Sequence, residues 1–73
     1  MKNFYVTFAI KYESVVHPKV DYADPNGYVL IRAKSYEEAR EKAFKELGQF
    51  WAGLYDSNNM DFSYYPKGVL KEL

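Results

Sequence analysis

The chain has 73 residues, with ten basic and ten acidic side chains and no cysteine. This length predicts a single domain spanning residues 1–73, and the lack of cysteine excludes disulfides and thiolate metal sites. A formal net charge of zero matches neither the basic balance of most nucleic-acid-binding proteins nor the acidic balance of proteins that imitate DNA.

A domain of this size buries only about 60% of the surface that its unfolded chain exposes, so the stability that its core provides is marginal. Without disulfides, a dense aromatic core or self-association must strengthen the fold; aromatic residues make up 19% of the chain. The N-terminal segment alternates polar and apolar residues and resembles no secretory signal. We therefore expect a cytoplasmic protein without a membrane segment, and its neutral charge permits a homo-oligomer.

Residues 4–12 alternate with period two, which predicts a half-buried strand with Phe4, Val6, Phe8, Ile10 and Tyr12 on one face. The long segment 13–27 follows. Its DPNG sequence predicts a turn in which Asp24 accepts from nearby amides and Gly27 adopts a positive φ.

Loops as long as segment 13–27 tend to be functional or disordered. Four apolar residues of this segment predict that it is ordered: Val15, Val16, Val20 and Tyr22. We expect the loop to pack beside Trp51 and Tyr55. It would present polar groups to solvent: His17, Lys19, Asp21 and Asp24. A short strand over residues 19–23 is the alternative.

Residues 28–34 predict a second strand, antiparallel to the first, with Val29, Ile31 and Ala33 facing the core. Ser35 then opens a helix, because its hydroxyl can accept the amide of Glu38 while the Glu38 carboxylate returns to the amide of Ser35. An apolar stripe continues at helical spacing: Tyr36, Ala39, Ala43, Leu47, Phe50 and Leu54. Gly48 lies inside this stripe and either bends or ends the helix.

Residues 62–65 predict a short third strand, and residues 69–73 predict an edge strand or a docked tail. The expected fold class is therefore α+β. It consists of a small antiparallel sheet of two to four strands with one amphipathic helix packed on one face, in the order ββαβ.

The sequence does not favour catalysis, so we predict no enzyme, no catalytic residue and no cofactor. A Ser–His–Asp arrangement needs a cleft that one helix on a small sheet does not offer. The spacing of His17, Asp21 and Asp24 matches no recognised metal site, so we also predict no metal. Two carboxylates, Glu37 and Glu38, would repel a phosphate from the helix N-terminus.

The outward face of the sheet is half apolar, since it carries Tyr5, Ala9, Tyr28 and Leu30. Such a face can contact a protein or a second copy, can stack single-stranded nucleic acid beside Arg32 and Lys34, or can be covered by the C-terminal segment. We assign the later aromatic residues mainly to the core: Phe50, Trp51, Tyr55, Phe62, Tyr64 and Tyr65.

The whole-chain pattern resembles an uncharacterised family of small proteins encoded by bacteriophages, chiefly of actinobacteria. The matching residues are His17, Pro18, Pro25, Gly27, Tyr28, Val29, Ala33, Glu37 to Arg40, Trp51, Tyr55, Pro66 and Gly68. Asn26 and Tyr28 depart from the Asp and Trp of that family. The resemblance implies a phage origin and action in the cytoplasm of a bacterial host, and it transfers no catalytic residue.

Our leading hypothesis is a non-catalytic protein that binds and inhibits a host protein, such as a component of antiviral defence. Alternatives are an oligomer that sequesters a small signalling nucleotide, and single-stranded nucleic-acid binding through the open sheet face. In the nucleotide hypothesis Tyr28, Trp51 or Tyr65 would stack the base, and Arg32, Lys34 or Arg40 would hold a phosphate. The expected partner-binding residues are His17, Lys19, Tyr22, Asp24, Tyr28, Arg32, Trp51, Tyr55 and Tyr65.

Overall fold

A computed structural model describes residues 1–12, 20 and 22–73. The strands are β1 (Lys2–Thr7), β2 (Gly27–Ala33), β3 (Gly53–Asp56) and β4 (Gly68–Glu72), and the helix is α1 (Tyr36–Leu47). The strands form one sheet in the order β3-β1-β2-β4, with α1 against one face. The predicted α+β class is confirmed, with two differences. Strand β4 runs parallel to β2, so the sheet is mixed, and two strands follow the helix instead of one.

Strand β1 pairs antiparallel with β2 on one side and with β3 on the other. The predicted alternation holds as far as Phe8, but Ile10 is exposed and lies in a 3-10 helix, Ile10–Tyr12. The strand prediction was too long because period-two alternation does not show where pairing ends. Both neighbouring strands begin near Thr7, at Gly27 and Gly53, so later residues lack a ladder partner.

The core lies between α1 and the sheet, where Val29, Ile31 and Ala33 of β2 are fully buried as predicted. Helix α1 contributes Ala39, Ala43 and Leu47 to this core; the two small residues allow the helix backbone to approach the strands.

The N-terminus of α1 follows half of the predicted capping box. The Glu38 amide donates to Ser35 Oγ at 3.2 Å, but the Glu38 carboxylate accepts from the Lys34 amide, at 3.4 Å, instead of the Ser35 amide. The apolar stripe predicted for the helix extended to Leu54. The helix instead ends at Leu47 because Gly48 adopts φ 68°. That conformation strongly favours glycine and stops the helix.

Two connections cross the sheet, on opposite faces. Helix α1 carries the chain from β2 to β3 over the core face, and residues 57–67 carry it back from β3 to β4 over the other face. The second crossover runs in the opposite direction across the sheet and over the opposite face. Because both the direction and the face are reversed, the two crossovers have the same handedness. The second crossover builds the site described below.

The turn before β2 forms as predicted in its hydrogen bonds. Asp24 Oδ1 accepts from the Asn26 amide at 2.8 Å, and the Asp24 carbonyl accepts from the Gly27 amide at 3.0 Å. Gly27 does not take the expected positive φ; a Cβ there would instead lie 2.5 Å from Leu70 Cδ2. The expected packing of residues 13–19 and 21 lies outside the described residues. Of the predicted anchors, Val20 is buried and Tyr22 is exposed, and the described part of 19–23 forms no strand.

Candidate functional site

The sheet face opposite α1 carries tyrosines from three strands. Tyr5 of β1 pairs with Tyr55 of β3 in the ladder, and Tyr28 of β2 points to the same side. The rings of Tyr5 and Tyr28 meet edge to face, with centroids 5.3 Å apart and planes at 86°. Pairing between strands therefore gathers residues that are 23 to 50 positions apart.

The crossover 57–67 adds more rings on top of these strands. Phe62 lies 5.0 Å from Tyr5 and 5.6 Å from Tyr28 by ring centroids, and Tyr65 lies 6.3 Å from Tyr28. Each edge-to-face pair of this kind contributes about 0.5–1.5 kcal/mol beyond its area burial. We call the whole set the aromatic face: Tyr5, Tyr28, Tyr55, Phe62, Tyr64 and Tyr65.

Two aspartates fix the path of this crossover. Asp56 Oδ1 accepts from the amides of Asn58 and Asn59 at 3.0 and 2.9 Å, which forms the turn after β3. Asp61 Oδ1 accepts from the amide and the hydroxyl of Ser63, at 3.1 and 2.6 Å, and caps a 3-10 helix, Phe62–Tyr64. This local bonding competes with extended structure, and the predicted strand over 62–65 was therefore wrong.

A pocket of about 290 Å³ opens between β3 and this 3-10 helix. We call it the tyrosine pocket; its lining comprises Tyr55, Asn59, Met60, Asp61, Tyr64 and Tyr65. Met60 is buried, whereas Tyr64 is 71% exposed. Among the described residues, the lining contains one carboxylate and no lysine or arginine.

The structure brings three predicted binding residues together on the aromatic face: Tyr28, Tyr55 and Tyr65. Arg32 lies on the same sheet face, where its Nη1 is 3.2 Å from Glu72 Oε1. Trp51 lies on the opposite side of the sheet. Its ring packs 5.0 Å from that of Phe44, and its Nε1 donates to the Gly48 carbonyl at 2.9 Å.

Tyr22 and Asp24 lie in the connection before β2, where the Asp24 side chain is used in the turn. His17 and Lys19 lie outside the described residues, as does the predicted contact of segment 13–19 with Trp51 and Tyr55. The assignment of the later aromatic residues to the core was largely wrong, because four of them are more than one-third exposed: Phe50, Tyr55, Phe62 and Tyr64.

Sequence reasoning missed Asp61 as a site residue and placed Tyr64 in the core. The sequence contained a local signal for Asp61. The Asp61-x-Ser63 spacing is typical of an aspartate that accepts hydrogen bonds from the amide and the hydroxyl two residues later. Nothing in the sequence showed that this turn would lie over Tyr5 and Tyr28, since that placement requires the crossover.

The two arginines proposed for holding a phosphate lie on opposite faces of the sheet. Arg32 is paired with Glu72, and Arg40 lies on α1, on the other side of the sheet, with its guanidinium carbon 4.8 Å from the centre of the Phe44 ring. Within residues 1–12, 20 and 22–73, no group of three His, Asp or Glu side chains is placed to hold a metal ion. In the same part of the chain, no helix is long and apolar enough to cross a membrane.

Comparison with protein-family models, with curated proteins and with solved structures finds no match to this chain.

Proposed function

We propose that this chain is a non-catalytic binding protein that engages another protein through its aromatic face. The observation that carries the proposal is that aromatic rings on a fixed backbone remain open to solvent. Tyr55, Phe62 and Tyr64 are 38%, 44% and 71% exposed, although strand pairing and the aspartate-capped turn fix their backbone. Rigid tyrosines supply large contact areas at low entropic cost, and exposed apolar patches often mark protein contacts.

The resemblance to phage-encoded proteins extends this proposal to the kind of partner. The partner would be a host protein in the bacterial cytoplasm, such as a component of antiviral defence. The aromatic face would inhibit this protein by covering the surface through which it functions. Such inhibition needs no catalytic group on this chain.

Two single substitutions provide a matched test. Tyr64→Ser removes an exposed ring from the aromatic face, and Tyr36→Ser removes a ring that is 48% exposed on α1, on the other side of the sheet. Each variant is used as bait in lysate of an actinobacterial host, and the recovered protein is then purified and titrated by calorimetry.

The proposal expects a partner that binds the wild type and Tyr36→Ser equally and binds Tyr64→Ser at least about fivefold more weakly, as for a central interface residue. Failure to recover any specific protein with folded bait contradicts the proposal, and so does equal weakening by the two substitutions.

Nucleotide sequestration by an oligomer and single-stranded nucleic-acid binding are the alternatives, and both have less support. Both ligands are anions, whereas the tyrosine pocket contains the Asp61 carboxylate, and Arg32 is already paired with Glu72. Nucleic-acid binding predicts an affinity that falls steeply with salt. Nucleotide binding predicts a thermal shift that is lost in Arg32→Ala.

A further inference from the structure

We propose that the tyrosine pocket receives an arginine side chain of the partner. This inference rests on the proposed function and specifies the chemistry that the partner must present. The pocket combines three aromatic rings with one carboxylate, and that combination is complementary to a planar cation.

Three tyrosine rings line the pocket. Tyr55, Tyr64 and Tyr65 come from β3 and from the end of the crossover, so they approach the pocket from different elements. The face of an aromatic ring carries negative electrostatic potential and attracts a cation within about 6 Å of its centre. Guanidinium groups are planar and weakly hydrated, so they stack on such rings more readily than ammonium groups do.

Asp61 supplies the carboxylate of the pocket. Its Oδ1 is held by the amide and the hydroxyl of Ser63, so the carboxylate is oriented before any ligand arrives. No hydrogen bond or ion pair to Oδ2 occurs within residues 1–12, 20 and 22–73. This oxygen can therefore accept an N–H of a guanidinium, and charge-assisted bonds of that kind are short and strong.

The pocket has a volume of about 290 Å³, close to the lower end of the range of about 300–1,000 Å³ for pockets that enclose a whole small-molecule ligand. One arginine side chain entering from the surface fits within this volume. The buried Met60 gives the lining an apolar part that can contact the methylene groups of arginine.

The test uses capped amino acids, so that it does not depend on knowing the partner. Nα-acetyl-arginine methylamide and its citrulline counterpart are titrated into the labelled protein while backbone amide resonances are followed by NMR. Citrulline has nearly the same shape as arginine but no charge. The expected result is saturable shifts centred on residues 55–65 with the arginine probe, and shifts at least about fivefold weaker with citrulline.

Two pairs of variants then locate the binding. Asp61→Asn keeps an oxygen for Ser63 but removes the charge, and Glu41→Gln makes the same charge change on α1. Tyr64→Leu and Tyr36→Leu form the second pair. Asp61→Asn and Tyr64→Leu should each weaken arginine binding about two- to fivefold, the range for exposed ion pairs and cation–π contacts. The two controls should leave it unchanged.

The inference is overturned if citrulline binds as well as arginine, if the shifts lie outside residues 55–65, or if both pocket variants bind arginine like wild type. These outcomes are separable from failure of the proposed function. A recovered partner whose binding is weakened by Tyr64→Ser but is insensitive to Asp61→Asn and Tyr64→Leu leaves the binding role intact and refutes the arginine pocket. Arginine binding without any recoverable partner supports the pocket and counts against the role.

Discussion

Gly27 opens β2 opposite Gly68 of β4, and a side chain at this position would meet the last strand. A Cβ built on Gly27 would lie 2.5 Å from Leu70 Cδ2, 2.7 Å from Leu70 Cγ and 3.1 Å from the Gly68 carbonyl oxygen. Rotating one methyl group does not relieve this contact, because Cγ is also too close and the backbone oxygen limits movement on the other side. Gly27→Ala should therefore displace Leu70 from the core.

The expected cost follows from two opposing effects. Overpacking of this kind destabilises a protein by about 1–3 kcal/mol. Replacing glycine by alanine returns about 0.4–1 kcal/mol, since it restricts the unfolded chain. The middle of these two ranges gives a net loss of about 1.3 kcal/mol in the free energy of unfolding, which moves the urea midpoint by about 1 M for a slope near 1 kcal/mol per M.

Urea unfolding followed by the fluorescence of Trp51, the one tryptophan, measures this loss. The matched control is Gly53→Ala, whose Cβ would lie 2.7–2.9 Å from the hydroxyl, Cε2 and Cζ of Tyr55. These atoms belong to the far end of a ring that is 38% exposed and can turn into solvent. Gly53→Ala should therefore stay within about 0.5 kcal/mol of wild type.

A double-mutant cycle with Leu70→Ala tests whether the Leu70 side chain causes the loss of stability in Gly27→Ala. Without the Leu70 side chain, Gly27→Ala should lose most of its penalty, which gives a coupling of about 1 kcal/mol. The reasoning is refuted if Gly27→Ala and Gly53→Ala have equal midpoints, or if the Gly27→Ala penalty is unchanged in the Leu70→Ala background.

Three further predictions concern stability, each measured by urea unfolding. Ser35→Ala removes the acceptor of the Glu38 amide and should cost about 1 kcal/mol, whereas Ser35→Thr should retain most of that energy; equal losses would contradict the capping role. Gly48→Ala should cost about 1–3 kcal/mol, because φ 68° and ψ −140° is a conformation that alanine adopts only with strain; a neutral result would show that the helix ends differently. Arg32→Ala should cost less than about 1 kcal/mol, since its ion pair with Glu72 is exposed; a loss above about 1 kcal/mol that persists in high salt, where the ion pair is screened, would show a second role.

Several patterns confined to neighbouring residues were predicted correctly. The alternation of Phe4, Val6 and Phe8, the buried positions of β2 and the Ser35 cap depend on local propensity and burial, which the sequence displays directly. The antiparallel pairing of β1 with β2 also followed, because two adjacent strands in a short chain have few other arrangements.

Features that depend on distant pairing were not predicted. Leu54 continues the helical spacing of α1, yet it is buried as part of β3 because β1 offers that segment a ladder partner. The parallel orientation of β4 follows from the crossover 57–67, and the local turns at Asp56 and Asp61 do not by themselves show that this segment crosses the sheet. The same holds for the site. Tyr28 and Tyr55 were each predicted as binding residues, but only the folded topology shows that they lie on one face with Tyr64 and Asp61.

The tyrosine pocket takes residues from β3 and from the crossover, and unfolding separates these two segments. Any ligand that occupies the pocket must therefore raise the free energy of unfolding by mass action, by about 2.7 kcal/mol at one hundred times its dissociation constant. Resistance to denaturant thus becomes a label-free gauge of occupancy, usable for screening ligands before any partner has been identified.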